Sequence, residues 1–167
     1  MIIWFTGISG VGKTTIAKKL KLLIKRKIIL IDGDAVRAIN NNDLGYSKQD
    51  RDKNALRLIN LVEYISKQEI DVIVCANLTS LKFRKIINKK LKKFYEIHIS
   101  AKIENLLKRD YKHLYKNALN KKIKNVVGVD IAYKRPKKCY IYLENNLSKK
   151  EFLKNAILIK KKIFKEG

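Results

Sequence analysis

The chain has 167 residues, 46% of them hydrophobic and 32% charged, a composition that suits one globular domain and excludes a disordered or low-complexity chain. Its 39 lysines and arginines outnumber 15 aspartates and glutamates, which gives a formal net charge of +24. Its two cysteines do not suggest a disulfide framework, and no apolar run suits a membrane span or a signal peptide, so we expect a cytoplasmic protein without a membrane partner.

Strand and helix signals alternate along the chain. Short apolar runs predict five strands, at residues 2–5, 28–31, 71–76, 95–99 and 139–143. Apolar residues at helical spacing predict helices over residues 14–25, 47–67 and 81–91, a charged helical stretch over 103–122, and a last helix that begins after Ser148. Ser47 with Asp50, and Ser148 with Glu151, stand at the spacing of a helix-capping pair.

Apolar strands that alternate with helices indicate an α/β fold. We expect three layers, in which helices cover both faces of a mostly parallel five-stranded sheet. No internal repeat or linker divides the chain, so we expect a single domain over residues 1–167.

A phosphate-binding pattern lies between the first predicted strand and the first predicted helix. The sequence Gly-Ile-Ser-Gly-Val-Gly-Lys-Thr at residues 7–14 matches G-x-x-x-x-G-K-[ST], which indicates a fold of the P-loop NTPase type. Glycines let backbone N–H groups face the phosphates, and the helix that follows points its positive end at them. We expect Lys13 to reach the β- and γ-phosphates of ATP and Thr14 to ligate Mg²⁺. The predicted ATP contacts are Gly7, Ser9, Gly10, Val11, Gly12, Lys13, Thr14 and Thr15.

The positive charge has two interpretations. Clustered cations bind nucleic acid by neutralising its phosphates, but 32 of the 39 cations are lysines spread over every predicted helix, and only seven are arginines. We therefore favour a solvated basic surface that attracts a small anionic substrate. A nucleic-acid-binding protein with a regulatory P-loop is the alternative of another class.

Two aspartates follow the second predicted strand, at the sheet edge where ligands of parallel sheets collect. We expect Asp34 to lie beside the P-loop, where its carboxylate can hold Mg²⁺ and accept a proton from an attacking hydroxyl. Asp32 either contacts the substrate or only caps the next helix. Arg37, one helical turn further on, suits an anion because a planar guanidinium binds phosphate with two hydrogen bonds.

Further charged residues follow along the chain. Arg51 and Asn54 stand three residues apart, which puts them on one face of the helix predicted over 47–67. Arg109 belongs to a basic segment that could fold over the triphosphate as a lid, which we place at about residues 103–136.

Five motifs occur in a fixed order: the P-loop, DGDxxR from Asp32, LGxSxxDRxxN from Leu44, RDxKxLYK from Arg109 and IKxxxGxDxxYxxP from Ile123. In this order, over residues 2–143, the chain resembles the adenylylsulfate kinase family. The resemblance implies a P-loop kinase that transfers the γ-phosphate of MgATP to the 3′-hydroxyl of a 5′-substituted nucleotide.

The same resemblance implies roles for individual residues. Asp34 would be the acid beside the metal and the acceptor hydroxyl. Arg109 would belong to the mobile lid, from which Lys112 would reach the substrate. The acceptor's anionic 5′ group would be held by Arg37, Arg51 and Asn54. The family resemblance also suggests a homodimer.

Departures from the family pattern fall where the acceptor base is recognised. The family's adenine is typically sandwiched between two phenylalanines, and this chain has Tyr46 and Val126 at those positions. It has Asn77-Leu78-Thr79 where the family typically has Ile-Ser-Pro. Losing one aromatic wall weakens stacking by about 1 kcal/mol or more, and Asn77 can hydrogen-bond a base edge. We therefore expect a smaller, more polar pocket that suits a pyrimidine.

The favoured acceptor is cytidine diphosphoramidate, a cytidine diphosphate whose terminal phosphate carries an amide. Kinases that resemble adenylylsulfate kinases phosphorylate it in capsule phosphoramidate assembly, and its tetrahedral, anionic end suits the same arginines. Two kinase alternatives stay open: an ordinary adenylylsulfate kinase that makes 3′-phosphoadenylyl sulfate, and a kinase of another small metabolite.

Overall fold

A computed structural model describes residues 1–78, 80–110 and 113–164. Its strands are β1 (Ile2–Thr6), β2 (Ile28–Asp32), β3 (Asp71–Cys75), β4 (Phe94–Ser100) and β5 (Ile141–Glu144). Its helices are α1 (Lys13–Leu23), α2 (Gly33–Ile39), α3 (Lys48–Lys67), α4 (Leu81–Lys90), α5 (Ile103–Lys108), α6 (Leu114–Leu119) and α7 (Lys149–Phe164). None of these helices, within the described residues, is long and apolar enough to cross a membrane.

The strands form one sheet in the order β2-β3-β1-β4-β5, and every neighbouring pair is parallel. The sheet has two apolar faces because successive residues of a strand point to opposite sides. In β1, Ile3 and Phe5 pack on one side with α1 and α7, whereas Ile2 and Trp4 pack on the other with α3 and α4. We call these sides the α1–α7 face and the α3–α4 face. The predicted α/β fold, with helices on both faces of a parallel sheet, is confirmed.

Both predicted capping pairs are present. Ser47 Oγ accepts a hydrogen bond from the N–H of Asp50 at 3.1 Å, and Ser148 Oγ accepts one from the N–H of Glu151 at 3.3 Å. Each bond satisfies an N–H group that the first turn of a helix leaves without an intrahelical partner. The starts of α3 and α7 therefore lie where the sequence places them.

The charged stretch predicted as one helix over residues 103–122 forms two short helices instead, α5 and α6. Asp110 causes the break, because its carboxylate caps α6 through the N–H groups of Leu114 and Lys116, at 2.7 and 2.9 Å. His113, just before α6, has a φ of +52°, which a continuous right-handed helix does not allow. The last strand also differs slightly, since β5 begins at Ile141, two residues later than predicted.

An ion pair on the α3–α4 face links β4 to α4. The Glu96 carboxylate accepts hydrogen bonds from Nε and Nη2 of Arg84 at 2.9 and 2.8 Å, and both side chains are largely buried. The Thr6 hydroxyl also donates to Glu96, at 2.9 Å. Thr6 is the last residue of β1, so this network fixes the strand end from which the glycine-rich loop departs.

We predict that Glu96→Gln lowers the free energy of unfolding by about 3 kcal/mol or more, because the Arg84 charge would stay buried without its partner. Chemical denaturation of the two proteins measures this difference. The more exposed pair Arg57–Asp43, 2.7 Å long, provides the matched control, and Asp43→Asn should change stability little. Equal losses in the two variants would contradict the prediction.

Candidate active site

The glycine-rich loop, residues 7–14, is held partly by its own lysine. Lys13 Nζ donates hydrogen bonds to the carbonyl oxygens of Gly7 and Ile8, at 2.8 and 2.9 Å. Burial lowers the pKa of the Lys13 ammonium, and the nearby side chains, Asp34 among them, act in the opposite direction. The lysine is thus placed at the loop and has unfavourable solvation, which an anion beside it would relieve.

Two side chains from distant parts of the chain hold the same loop. The Tyr115 hydroxyl, on α6, donates to the carbonyl of Ser9 at 2.7 Å. Nδ2 of Asn145, just after β5, donates to the carbonyl of Val11 at 2.9 Å. Tyr115 and Asn145 are both buried, so these bonds form away from competing water. Tyr115 belongs to the RDxKxLYK motif, but the sequence assigned a role in the site to neither residue.

The backbone N–H groups of the loop are left available. Within the described part of the chain, none of the N–H groups of residues 8–12 donates to a protein acceptor. Gly10 and Gly12 have φ of +75° and +95°, which residues with a side chain rarely adopt, and Gly12 directly precedes α1. Unpaired N–H groups at the positive end of a helix form an anion site, and the predicted phosphate cradle has this geometry.

Asp32 both caps α2 and touches the loop. The Thr14 hydroxyl donates to Oδ2 of Asp32 at 2.7 Å, while Oδ1 of the same carboxylate accepts from the N–H of Asp34 at 3.0 Å. Asp32 is therefore the carboxylate that contacts Thr14 directly. The sequence had assigned the metal to Thr14 with Asp34, so the contact adds Asp32 to the candidate ligands.

The Asp34 side chain is exposed at the start of α2. Its carboxylate lies close enough to act electrostatically on both Lys13 and Arg51, raising the pKa of each against the effect of burial. A carboxylate that acts on both cations would lie near an anion bound by either of them. This position suits the predicted proton acceptor.

Two arginines meet at one tyrosine ring. Arg37 is buried and donates from Nη1 to the carbonyls of Leu44 and Gly45, at 3.1 and 2.8 Å. Arg51 donates from Nε to the carbonyl of Tyr46 at 2.9 Å. The two guanidinium carbons lie 4.9 and 5.3 Å from the centre of the Tyr46 ring. Backbone and ring together thus hold two positive charges side by side.

The arginine pair lacks a full counter-charge. Burial lowers the pKa of Arg51, and the Arg37 charge lowers it further, although Tyr46, Asp34 and Asp130 oppose this. A bound anion would remove the repulsion between the guanidinium groups. The side-chain geometry therefore supports an anion site here, next to Asp34.

Two of the predicted site residues are asparagines whose side-chain oxygens, Oδ1 of Asn54 and Oδ1 of Asn77, are buried and without a hydrogen-bond partner among the described residues. Asn54 is one helical turn after Arg51 on α3, and Asn77 follows β3. Unpaired buried oxygens are unfavourable in a finished protein interior, so both atoms suit hydrogen bonds from a ligand.

We call residues 125–133 the strap, and its first residue is bonded to Arg51. Nη2 of Arg51 donates to the carbonyl of Asn125 at 2.6 Å. The Asp130 carboxylate accepts from the N–H groups of Asn125 and Val126, which closes the start of the strap into a turn. The sequence motif contains Asp130, but only the structure reveals its part in shaping this turn.

The strap passes over the glycine-rich loop. A Cβ atom added to Gly128 would lie 3.4 Å from Cδ1 of Ile8, so the strap backbone packs against the Ile8 side chain of the loop. Between the strap and the first turns of α3 and α4 lies a cavity of about 460 Å³. Its lining includes three cations, Lys48, Arg51 and Lys134, against one carboxylate, Asp130, and this excess of positive charge suits an anionic ligand.

Three other predicted site residues remain, namely Arg109, Val126 and Lys112, and the structure shows the surroundings of the first two. Arg109 donates to the carbonyls of Asn145 and Leu147, at 2.9 and 3.2 Å, which places it beside the residue that supports the loop. Val126 is only 3% exposed and packs in the cluster of the α1–α7 face, so little of it remains for a base. Lys112 lies outside the described residues. Their predicted contacts with ATP or the acceptor stay predictions.

Comparisons with known proteins agree with this geometry. The model of the adenylylsulphate kinase family matches residues 1–144. A cytidine diphosphoramidate kinase of Campylobacter jejuni is 40% identical over 158 residues, covering 89% of this chain and 91% of that protein. An adenylyl-sulfate kinase of Picosynechococcus is 36% identical over 137 residues, covering 80% of this chain and 77% of that protein.

A solved structure is similar over nearly the whole chain. The APS kinase of Mycobacterium tuberculosis, determined in complex with AMPPNP and APS, superposes with a TM-score of 0.84 at 30% identity. The match covers 99% of this chain and 97% of that one. The fold therefore follows that of a nucleotide kinase.

We predict that Tyr115→Phe raises the Kd for a non-hydrolysable ATP analogue about fivefold. The substitution removes one hydrogen bond, worth about 1 kcal/mol, and frees the Ser9 carbonyl to turn toward the phosphates. Calorimetric titration measures the Kd. Tyr140→Phe is the matched control, because it removes a hydroxyl that donates to the Lys162 carbonyl at 3.0 Å, outside the loop. An unchanged Kd in Tyr115→Phe would contradict a supporting role.

Proposed function

The chain belongs to the adenylylsulphate kinase family, and we propose that it transfers the γ-phosphate of ATP to the 3′-hydroxyl of cytidine diphosphoramidate. That it is an ATP-dependent nucleotide kinase follows from the family. The identity of the acceptor is our proposal, and adenylyl sulfate is the second candidate, because relatives of both kinds match the chain.

We base the choice between the two acceptors on the side-chain oxygen of Asn54, which has no hydrogen-bond partner among the described residues. Arg37 and Arg51 suit any tetrahedral anion, so they serve a sulfate and a phosphoramidate equally well. The amide nitrogen of a phosphoramidate also offers N–H donors, which a sulfate lacks. Oδ1 of Asn54 is a buried acceptor without a partner in the described chain, and an N–H donor would satisfy it.

The base side of the site supports a pyrimidine. Tyr46 is 51% exposed, so its ring can stack on a base while its other contacts hold the two arginines. Val126 offers no second aromatic surface, which reduces stacking by about 1 kcal/mol or more and penalises a large purine more than a small pyrimidine. Oδ1 of Asn77 can accept a hydrogen bond from an exocyclic amine, which cytosine and adenine both carry, so the choice of a pyrimidine rests on the stacking surfaces.

The proposed reaction uses the chain's own groups as follows. The N–H groups of the glycine-rich loop and Lys13 hold the β- and γ-phosphates. Arg37 and Arg51 hold the acceptor's charged end, which orients its 3′-hydroxyl toward the γ-phosphorus. That oxygen forms a new bond to the γ-phosphorus, the bond to the β-phosphate oxygen breaks, and ADP leaves. Asp34 takes the hydroxyl proton.

The donor set at the loop fits Mg²⁺. Thr14 and Asp32 present a hydroxyl and a carboxylate 2.7 Å apart, Asp34 is adjacent, and Mg²⁺ prefers oxygen ligands. No cluster of three or more His, Cys, Asp or Glu side chains that could form an all-protein cage occurs among the described residues. Such a site suits Mg²⁺ that arrives with ATP and neutralises the phosphate charge that develops during transfer.

The remaining predictions concern the extent of the domain, its lid, the oligomeric state and the location of the protein in the cell. We propose that residues 1–167 act as one kinase domain and that residues 103–136 include its lid. Within that segment, Leu106 and Tyr115 are buried in the core of the α1–α7 face, so we do not assign these two residues to a moving part of the lid. The homodimer and the cytoplasmic location stay predictions.

We predict that the protein, supplied with MgATP, phosphorylates cytidine diphosphoramidate and leaves adenylyl sulfate largely unused. Phosphorus NMR follows the new 3′-phosphate, and ADP release gives the rate. Cytidine diphosphate without the amide is the matched control acceptor and should react more slowly. Preferential use of adenylyl sulfate would contradict the proposed acceptor. Tight, salt-sensitive binding of a polynucleotide with no phosphate transfer would favour the nucleic-acid-binding alternative.

We predict that Asp34→Asn lowers kcat by about 100-fold or more while the Kd for ATP changes little, because a general base contributes mainly to the chemical step. Asp43→Asn is the matched control, since it removes an exposed carboxylate just beyond α2, and it should keep full activity. Near-normal turnover by Asp34→Asn would show that another group accepts the proton.

A further inference from the structure

A buried histidine joins the end of β1 to the strap. His98, on β4, is only 2% exposed, and its Nδ1 lies 3.2 Å from the Thr6 hydroxyl and 3.3 Å from the Tyr133 hydroxyl. The His98 and Tyr133 rings are stacked, with centroids 5.8 Å apart and planes inclined by 19°. One imidazole thus contacts both the residue before the glycine-rich loop and the last residue of the strap.

The hydrogen-bond network assigns the proton on this imidazole. The Glu96 carboxylate can only accept, since it is paired with Arg84, so the Thr6 hydroxyl uses its proton on Glu96. Thr6 Oγ1 can then only accept, so its contact with His98 requires a proton on Nδ1, and the Tyr133 hydroxyl shares this N–H as a second acceptor. Burial lowers the pKa of His98 to about 4, which keeps the ring neutral near pH 7.

Packing alone does not explain a histidine at this position. Nε2 of His98 is buried and has no hydrogen-bond partner among the residues described, which is unfavourable. The ring stacks on Tyr133 and meets the edge of Tyr142, contacts that a phenylalanine would also make. What only the histidine supplies is the Nδ1–H group between the Thr6 and Tyr133 hydroxyls.

The strap is therefore tied at both ends. Its start is bonded to Arg51 through the Asn125 carbonyl, and its end is bonded to His98 through Tyr133. Between these ends Gly128 lies against Ile8 of the glycine-rich loop. The strap also lines the cavity beside Arg51, so its position sets the distance between the acceptor site and the phosphate cradle.

We propose that His98 and Tyr133 are positioning residues for the acceptor: their contact fixes the end of the strap to the base of the glycine-rich loop. The proposal rests on the proposed function, because the strap forms one side of the acceptor site in it. The pair touches neither ATP nor the reacting hydroxyl. Its loss should weaken acceptor binding and leave ATP binding intact.

Steady-state kinetics of His98→Phe, Tyr133→Phe and the double variant test the proposal, with cytidine diphosphoramidate as acceptor, or adenylyl sulfate if only that reacts. Each single variant should raise the acceptor KM about three- to tenfold, the range for one neutral hydrogen bond, with the ATP KM unchanged. The double variant should be no worse than His98→Phe alone, because that variant already removes the contact with Tyr133 together with the one with Thr6. Tyr140→Phe should match the parent protein.

Two results would overturn the proposal: an unchanged acceptor KM, or equal increases in the KM of acceptor and ATP. Amide hydrogen exchange gives a second measurement that needs no turnover. In Tyr133→Phe the amides of residues 125–131 should exchange faster, and those of α1 should not change. If neither nucleotide is phosphorylated, the proposed function fails. Unchanged amide exchange in the strap would independently contradict the proposed role of the His98–Tyr133 contact.

Discussion

The site depends on which way the peptide groups of the glycine-rich loop are turned. Lys13, Tyr115 and Asn145 donate to four of its carbonyl oxygens, which holds those oxygens in protein contacts. Among the residues that the structure describes, the N–H groups of residues 8–12 have no protein acceptor, and they stand at the positive end of α1. A carbonyl facing a phosphate would repel it, whereas an N–H group attracts it, so these few bonds create the cradle.

The two faces of the sheet supply different halves of the site. The α1–α7 face carries the supports of the phosphate cradle, including Tyr115. The α3–α4 face brings Arg37, Arg51 and Asn54 to the same edge, from α2 and α3. Both halves meet at the end of β1, where Thr6 joins the Glu96–Arg84 pair on one side and the loop on the other. This edge is where parallel sheets bind ligands.

Local features were predictable from sequence, and contacts between distant residues were not. The glycine pattern, the strands and the Ser47 and Ser148 caps each depend on neighbouring residues. Tyr115 and Asn145 lie 106 and 134 residues from the carbonyls that they support, and no spacing rule connects them. The break between α5 and α6 was missed because a capping carboxylate, Asp110, overrides a helical pattern that is otherwise continuous.

The central claim is that one anion occupies the loop while another occupies the arginine pair, with Asp34 between them. A crystal structure with a non-hydrolysable ATP analogue and cytidine diphosphoramidate tests it most directly. We expect the γ-phosphate within hydrogen-bond distance of the loop N–H groups, the phosphoramidate between Arg37 and Arg51, and the 3′-hydroxyl within reach of Asp34. A nucleotide bound with its charged end away from both arginines, or its 3′-hydroxyl far from Asp34, would contradict the account.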